Sequence, residues 1–224
     1  RKAIAHTQTV VCHFIGTMKI IWTNLIIWTV LSLSSCGQRN DTGYIQDQPR
    51  LHADTLMINC DSVFSEVGYY IQLITFDSLL NNQGNSILVF GQRNQGGQEQ
   101  IYLDTLYSKV GQVEFRDFNQ DDIKDVLVQN ESDARSNWTY NLFLTDLKGR
   151  TLTMVQGFDQ VKNPSLNSDL QIIESHVNSG TNYIEFYKLV NRDSIFKYDI
   201  LVYDSMDDIS ERNYKLALDK IRSK

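Results

Sequence analysis

Beyond Asp54, apolar and polar residues alternate along much of the chain. Trp138, Tyr140, Leu142 and Leu144 fall on one side of a period-two run, and Phe196, Tyr198, Ile200 and Val202 fall on one side of another. Successive side chains of a strand point to opposite faces of its sheet, so both runs predict strands with one strongly apolar face. Similar runs, separated by Gly, Asn and Asp clusters, predict further strands at 54–60, 68–75, 87–91, 98–106, 112–116, 125–129, 151–156, 170–176 and 183–190. Their spacing predicts successive antiparallel hairpins. Helical periodicity is scarce: it marks 76–81, while the tail 211–224 suits a helix or a strand equally well. The expected fold class is mainly all-β, an antiparallel meander, in one domain spanning 54–224.

The start of the chain follows a different pattern. Residues 20–33, IIWTNLIIWTVLSL, form a charge-free run interrupted by Asn24, with Met18 and Lys19 before it. A spanning helix takes about 20 apolar residues, whereas a run of roughly 10 to 14 after a basic residue fits the core of a signal peptide. Leu33, Ser34, Ser35 and Cys36 follow, a branched apolar residue and two small ones before a cysteine. This sequence resembles the lipobox of bacterial lipoproteins. The resemblance implies that 18–35 is removed, that Cys36 becomes the first residue and carries lipid, and that the protein is tethered to a membrane of the cell envelope, facing the periplasm or the outside. Residues 1–17 then read as an upstream extension, and 36–53, polar with Gly37, Gly43 and Pro49, as the lipidated cysteine and a linker.

Removing Arg1, Lys2 and Lys19 with the leader leaves 18 Lys+Arg against 27 Asp+Glu, a formal charge of −9. Such a surface repels nucleic acid, for which no basic cluster is present, and attracts basic proteins. With Cys12 in the extension and Cys36 spent on lipid, Cys60 has no disulfide partner in the mature chain. Its alternation with Leu56 and Ile58 predicts a buried thiol.

The densest chemistry is at 117–125, DFNQDDIKD, between two strand-like segments. Asp117, Asn119, Asp121 and Asp125 place oxygen ligands at positions 1, 3, 5 and 9, and Ile123 at position 7 offers its backbone carbonyl. Calcium takes six to eight oxygens at about 2.3 to 2.6 Å, which a tight turn with alternate carboxylates and amides supplies. The alternative is a solvated Asp/Asn turn. Val128 at position 12 excludes an EF-hand, which needs a glutamate there. The spacing resembles instead the calcium loops of FG-GAP-type propeller repeats, with Asp122 where those have glycine. An aspartate tolerates left-handed backbone angles better than most residues, so the turn survives the change at some strain.

From Val113 to about Tyr203 the order of calcium loop, aromatic strand, Asp146-Leu147-Lys148-Gly149 turn, Asn163-Pro164-Ser165-Leu166 segment and paired strands is similar to a family of bacterial periplasmic proteins and lipoproteins with an incomplete, propeller-like β fold. Some of its members are immunity proteins that inhibit lysozyme-like effectors. The resemblance implies calcium as cofactor, a lipid bilayer as one partner through acylated Cys36, and a basic lysozyme-like protein as another. A structural or assembly lipoprotein of the envelope is the alternative. No G-x-S-x-G, H-E-x-x-H or P-loop motif occurs, and His52 and His176 are the histidines of the mature chain, so the expected function is not enzymatic.

Overall fold

The computed structural model describes residues 52–80, 84–205 and 207–223. They form three four-stranded antiparallel sheets in which neighbours in sequence are neighbours in space, followed by one helix. The first sheet holds β1 (Ala53–Asn59), β2 (Tyr69–Leu80), β3 (Gly84–Asn94) and β4 (Gly97–Leu106). The middle sheet holds β5 (Val113–Arg116), β6 (Asp125–Ser132), β7 (Trp138–Asp146) and β8 (Thr151–Met154). The third holds β9 (Pro164–Asn167), β10 (Ile172–Val177), β11 (Tyr183–Val190) and β12 (Ser194–Tyr203), and α1 (Asp208–Arg222) follows. None of the sheets closes on itself; this is the mainly all-β antiparallel meander that the alternation predicts.

Packing follows from the two faces of each sheet. In the middle sheet Val126 pairs with Phe143 and Leu127 with Leu142. Val126, Val128 and Phe143 join Ile71, Leu73, Leu88 and Phe90 of the first sheet in one core. Leu127, Tyr140, Leu142 and Leu144 join Ile173 and Tyr187 of the third sheet in a second. The middle sheet is therefore apolar on both faces, and β7 reads as an almost continuous buried run from Tyr140 to Thr145. A third core sets Ile172, Ile184, Phe186 and Val202 against Ala217 and Ile221 of α1.

Two local expectations change. The helical spacing at 76–81 is overruled, because β2 continues to Leu80, with Phe76 paired to Ala53 and Leu80 to Gly84. Six residues of helical spacing are a weak signal against strand pairing on both sides. Residues 164–167, not expected as a strand, form β9; Pro164 lacks an N–H, which an edge strand tolerates. The tail resolves as a helix. Asp207 caps it by accepting from the Ser210 N–H at 2.7 Å, and Tyr214, Ala217, Leu218 and Ile221 recur at helical spacing against the third sheet.

The thiol of Cys60, directly after β1, is fully buried, and desolvation pushes its pKa up to about 11. It is expected to resist alkylation at pH 8 in the native protein and to react rapidly in urea, followed by peptide mapping of the labelled cysteine. Fast native labelling would place it outside the first core. Among the aromatics, Tyr69, Tyr70, Tyr140, Tyr187 and Tyr198 are buried, as sheet packing predicts, while Tyr203 is exposed.

Candidate functional site

The 117–125 segment is the turn between β5 and β6 together with the first residue of β6, Asp125. Two of its residues, Gln120 at φ 58° and Asp122 at φ 65°, adopt left-handed backbone angles without being glycine. Asp117 supports both: its Oδ1 accepts from the Gln120 N–H at 2.6 Å and its Oδ2 from the Asp122 N–H at 3.0 Å. Asn119 Oδ1 accepts from the Asp121 N–H at 3.2 Å, and Asp121 Oδ1 from the Ile123 N–H at 2.9 Å. The Asn119 amide donates to Asp121 Oδ2 at 2.8 Å. The short polar side chains thus solve locally the problem of a tight turn whose amides have no ladder partner.

Asp125 differs from the other three. It is fully buried at the start of β6, its Oδ2 accepting from the Phe118 N–H at 2.8 Å and its Oδ1 from the Thr145 N–H of β7 at 3.1 Å. Burial pushes its carboxyl up to about 7 against the opposing pull of those two bonds, and the charges of Asp121 and Asp117 push the same way. Phe118 is buried in the second core, edge-on to Phe158 with ring centroids 5.3 Å apart. Gln120 Nε2 reaches the Ser168 carbonyl at 3.2 Å and Arg116 Nη1 the Pro164 carbonyl at 3.1 Å. The turn is therefore tied down to β7 below and to the third sheet beside it.

Four of the five sequence-predicted loop residues lie in this one turn and the fifth, Asp125, opens β6 directly after it; Asp117, Asn119 and Asp121 fold over the turn's amides and Asp125 lies beneath. Among the described residues, no group of three or more His, Cys, Asp or Glu side chains is drawn together as metal ligands are. The donor chemistry nonetheless suits a hard cation: each carboxylate oxygen has lone-pair capacity beyond the N–H it accepts, and Asp117 and Asp121 each raise the cost of charge on Asp125. Phe118 and Thr145 escape a reading of the sequence, because neither carries loop chemistry; the apolar residue between two ligand positions is the signal that could have marked Phe118 as an anchor.

His52 lies exposed, 3.8 Å from Asp77. His176, on β10, has its Nε2 3.0 Å from Ser165 Oγ and 3.5 Å from Glu174 Oε2. One nitrogen meets both groups, whereas a serine nucleophile relay needs the hydroxyl on one ring nitrogen and the acid on the other. Cys36 and its flanking segments lie outside the described residues. No helix among the described residues is long and apolar enough to cross a membrane. No protein-family model, no curated protein and no solved structure matches the chain.

Proposed function

We propose that this chain is a calcium-stabilised β lipoprotein of the cell envelope that acts by binding a protein, a basic lysozyme-like enzyme, as an inhibitor or immunity protein, and not by catalysis. The observation that carries the reading is the β5–β6 turn. Its oxygen-bearing side chains at alternate positions fold back over one turn, and that turn is fastened to the middle and third sheets through Asp125, Phe118 and Gln120. Asp117, Asn119, Asp121 and Asp125, with the Ile123 carbonyl, would hold the ion. Calcium there would neutralise three carboxylates and stiffen the loop as part of a binding surface. Acylated Cys36 would tether the domain, and the −9 charge of the mature chain favours a basic partner.

Calorimetric titration of calcium tests the metal. Binding at or below about a millimolar is expected, the range of extracellular calcium modules. It should stabilise by about 2.7 kcal/mol when free calcium is 100 times its dissociation constant. Asp117→Ala and Asp121→Ala should each abolish the heat. No heat and an unchanged melting curve would reduce the loop to an acidic turn. A muramidase assay with the protein in excess tests the partner independently; undiminished activity of every basic lysozyme tried would leave the structural lipoprotein as the better reading.

A further inference from the structure

A cleft of about 400 Å³ opens between the third sheet and the first turns of α1, away from the β5–β6 turn. Ile184 and Val202 give it an apolar lining and Tyr203 and Tyr214 an aromatic one. Glu174, Asp204, Asp207, Asp208 and Glu211 also border it, with His176 beside Glu174 and no lysine or arginine. Some of these carboxylates have local work that needs no ligand: Asp207 caps α1, and Glu211 pairs with Lys215 at 2.6 Å.

Glu174 is not explained in that way. Its side chain is 9% exposed, and a carboxylate so far out of water is costly unless its oxygens are well served. Oε1 is: Tyr214 Oη donates to it at 2.6 Å and Asn167 Nδ2 at 2.8 Å. Oε2 faces His176 Nε2 at 3.5 Å, long for a hydrogen bond, and that nitrogen lies closer to Ser165 Oγ. Burial raises the Glu174 pKa, but the contacts with His176, Tyr214 and Asn167 outweigh it and hold the carboxyl below its ordinary range, so the group stays ionised at neutral pH. A buried negative charge, its Oε1 held by Tyr214 and Asn167 and its Oε2 by the longer contact with His176, thus borders a cleft with apolar and aromatic lining.

We propose that this cleft receives the guanidinium or ammonium group of an arginine or lysine side chain from a protein partner. A charged donor completes the hydrogen bonding of Glu174 Oε2, the aliphatic stem lies along Ile184 and Val202, and the tyrosine rings attract the cation through their π faces. The volume suits a small group. The five carboxylates exclude anions, and Asp207 and Asp208 offset the positive end of the helix that would otherwise attract them. That the cation belongs to a protein rests on the protein-binding reading above; that the cleft takes an organic cation does not.

The probe is Nα-acetyl-L-arginine amide, with the citrulline analogue as its uncharged isostere. It is titrated into the whole chain in detergent micelles, with the Ile184 and Val202 methyl groups followed by NMR. Saturable shifts of these methyls are expected, with affinity at least about tenfold above that of the citrulline analogue, the size that one charge-assisted contact supplies. Glu174→Gln should remove that preference. Asp208→Asn, at the exposed rim, should weaken it while lowering the melting temperature only slightly, through the charge lost at the start of α1, and serves if the buried substitution unfolds the domain. Equal binding of the two probes, shifts elsewhere on the protein, or full arginine preference in folded Glu174→Gln would overturn the proposal. None of these readings depends on calcium or on a lysozyme, so the cleft fails or stands separately from the partner reading.

Discussion

Phe143→Ala is expected to cost about 3–5 kcal/mol of folding stability, the range for truncating a fully buried aromatic. Phe143 is fully buried in β7 and faces the first core, where its ring sits edge-on to Tyr102 of β4 at 6.0 Å. The substitution opens a void where the first and middle sheets meet, and β7 cannot close it by shifting, because Leu142 and Leu144 fix its other face in the second core. Since a domain is stable by only about 5–15 kcal/mol, the variant should lose roughly a fifth or more of its margin. Urea unfolding followed by tyrosine fluorescence measures this through the midpoint at constant slope. A loss under about 1 kcal/mol would mean that the two sheets do not share a dry core.

The second large effect is expected at Asp125, where it separates a structural duty from a metal one. Asp125→Ala leaves the buried N–H groups of Phe118 and Thr145 without acceptors, at about 1–3 kcal/mol each. Relief from burying a carboxylate whose pKa is raised to about 7 offsets part of that, so the net loss should fall near the lower end, about 2–3 kcal/mol. Asp121→Ala removes hydrogen bonds that stay within an exposed part of the turn and should matter little without calcium. Melting in the presence of a chelator and then of millimolar calcium distinguishes the two. Asp125→Ala should melt low in both conditions, whereas Asp121→Ala should fall behind the unmutated chain only when calcium is present. If Asp125→Ala melts normally in chelator, the fastening of the turn to β7 is wrong.

The candidate turn was legible in the sequence because its chemistry is local. Alternate Asp and Asn residues over nine positions, with strand patterns on either side, require no knowledge of what lies across the fold, and Asp117, Asn119, Asp121 and Ile123 do lie in the turn between β5 and β6, with Asp125 opening β6. The double duty of Asp125 was not legible. Its spacing makes it the last ligand of the loop, but its acceptor bonds reach Phe118 and Thr145, the second of them twenty positions away on a neighbouring strand. The cleft was harder still to see: Glu174 and His176 alternate on one strand, yet Tyr214, forty positions downstream, supplies the hydroxyl that holds Glu174.

Period-two alternation by itself determined the all-β class and the places of eleven of the twelve strands, because the pleat turns every second side chain to the same face whatever that face meets. The short connections determined the meander order as well, since neighbouring strands joined by few residues pair with each other. Tertiary structure decided what lies on each face. β7 has Phe143 in one core and Leu142 in another because sheets stand on both sides of it, and 76–80 is strand because Ala53 pairs with Phe76 and Gly84 with Leu80. The tail, balanced between helix and strand as a sequence, became a helix that buries Ala217 and Ile221 on the outer face of the third sheet. Local propensity was nearly neutral there, and burial of the apolar stripe tipped it.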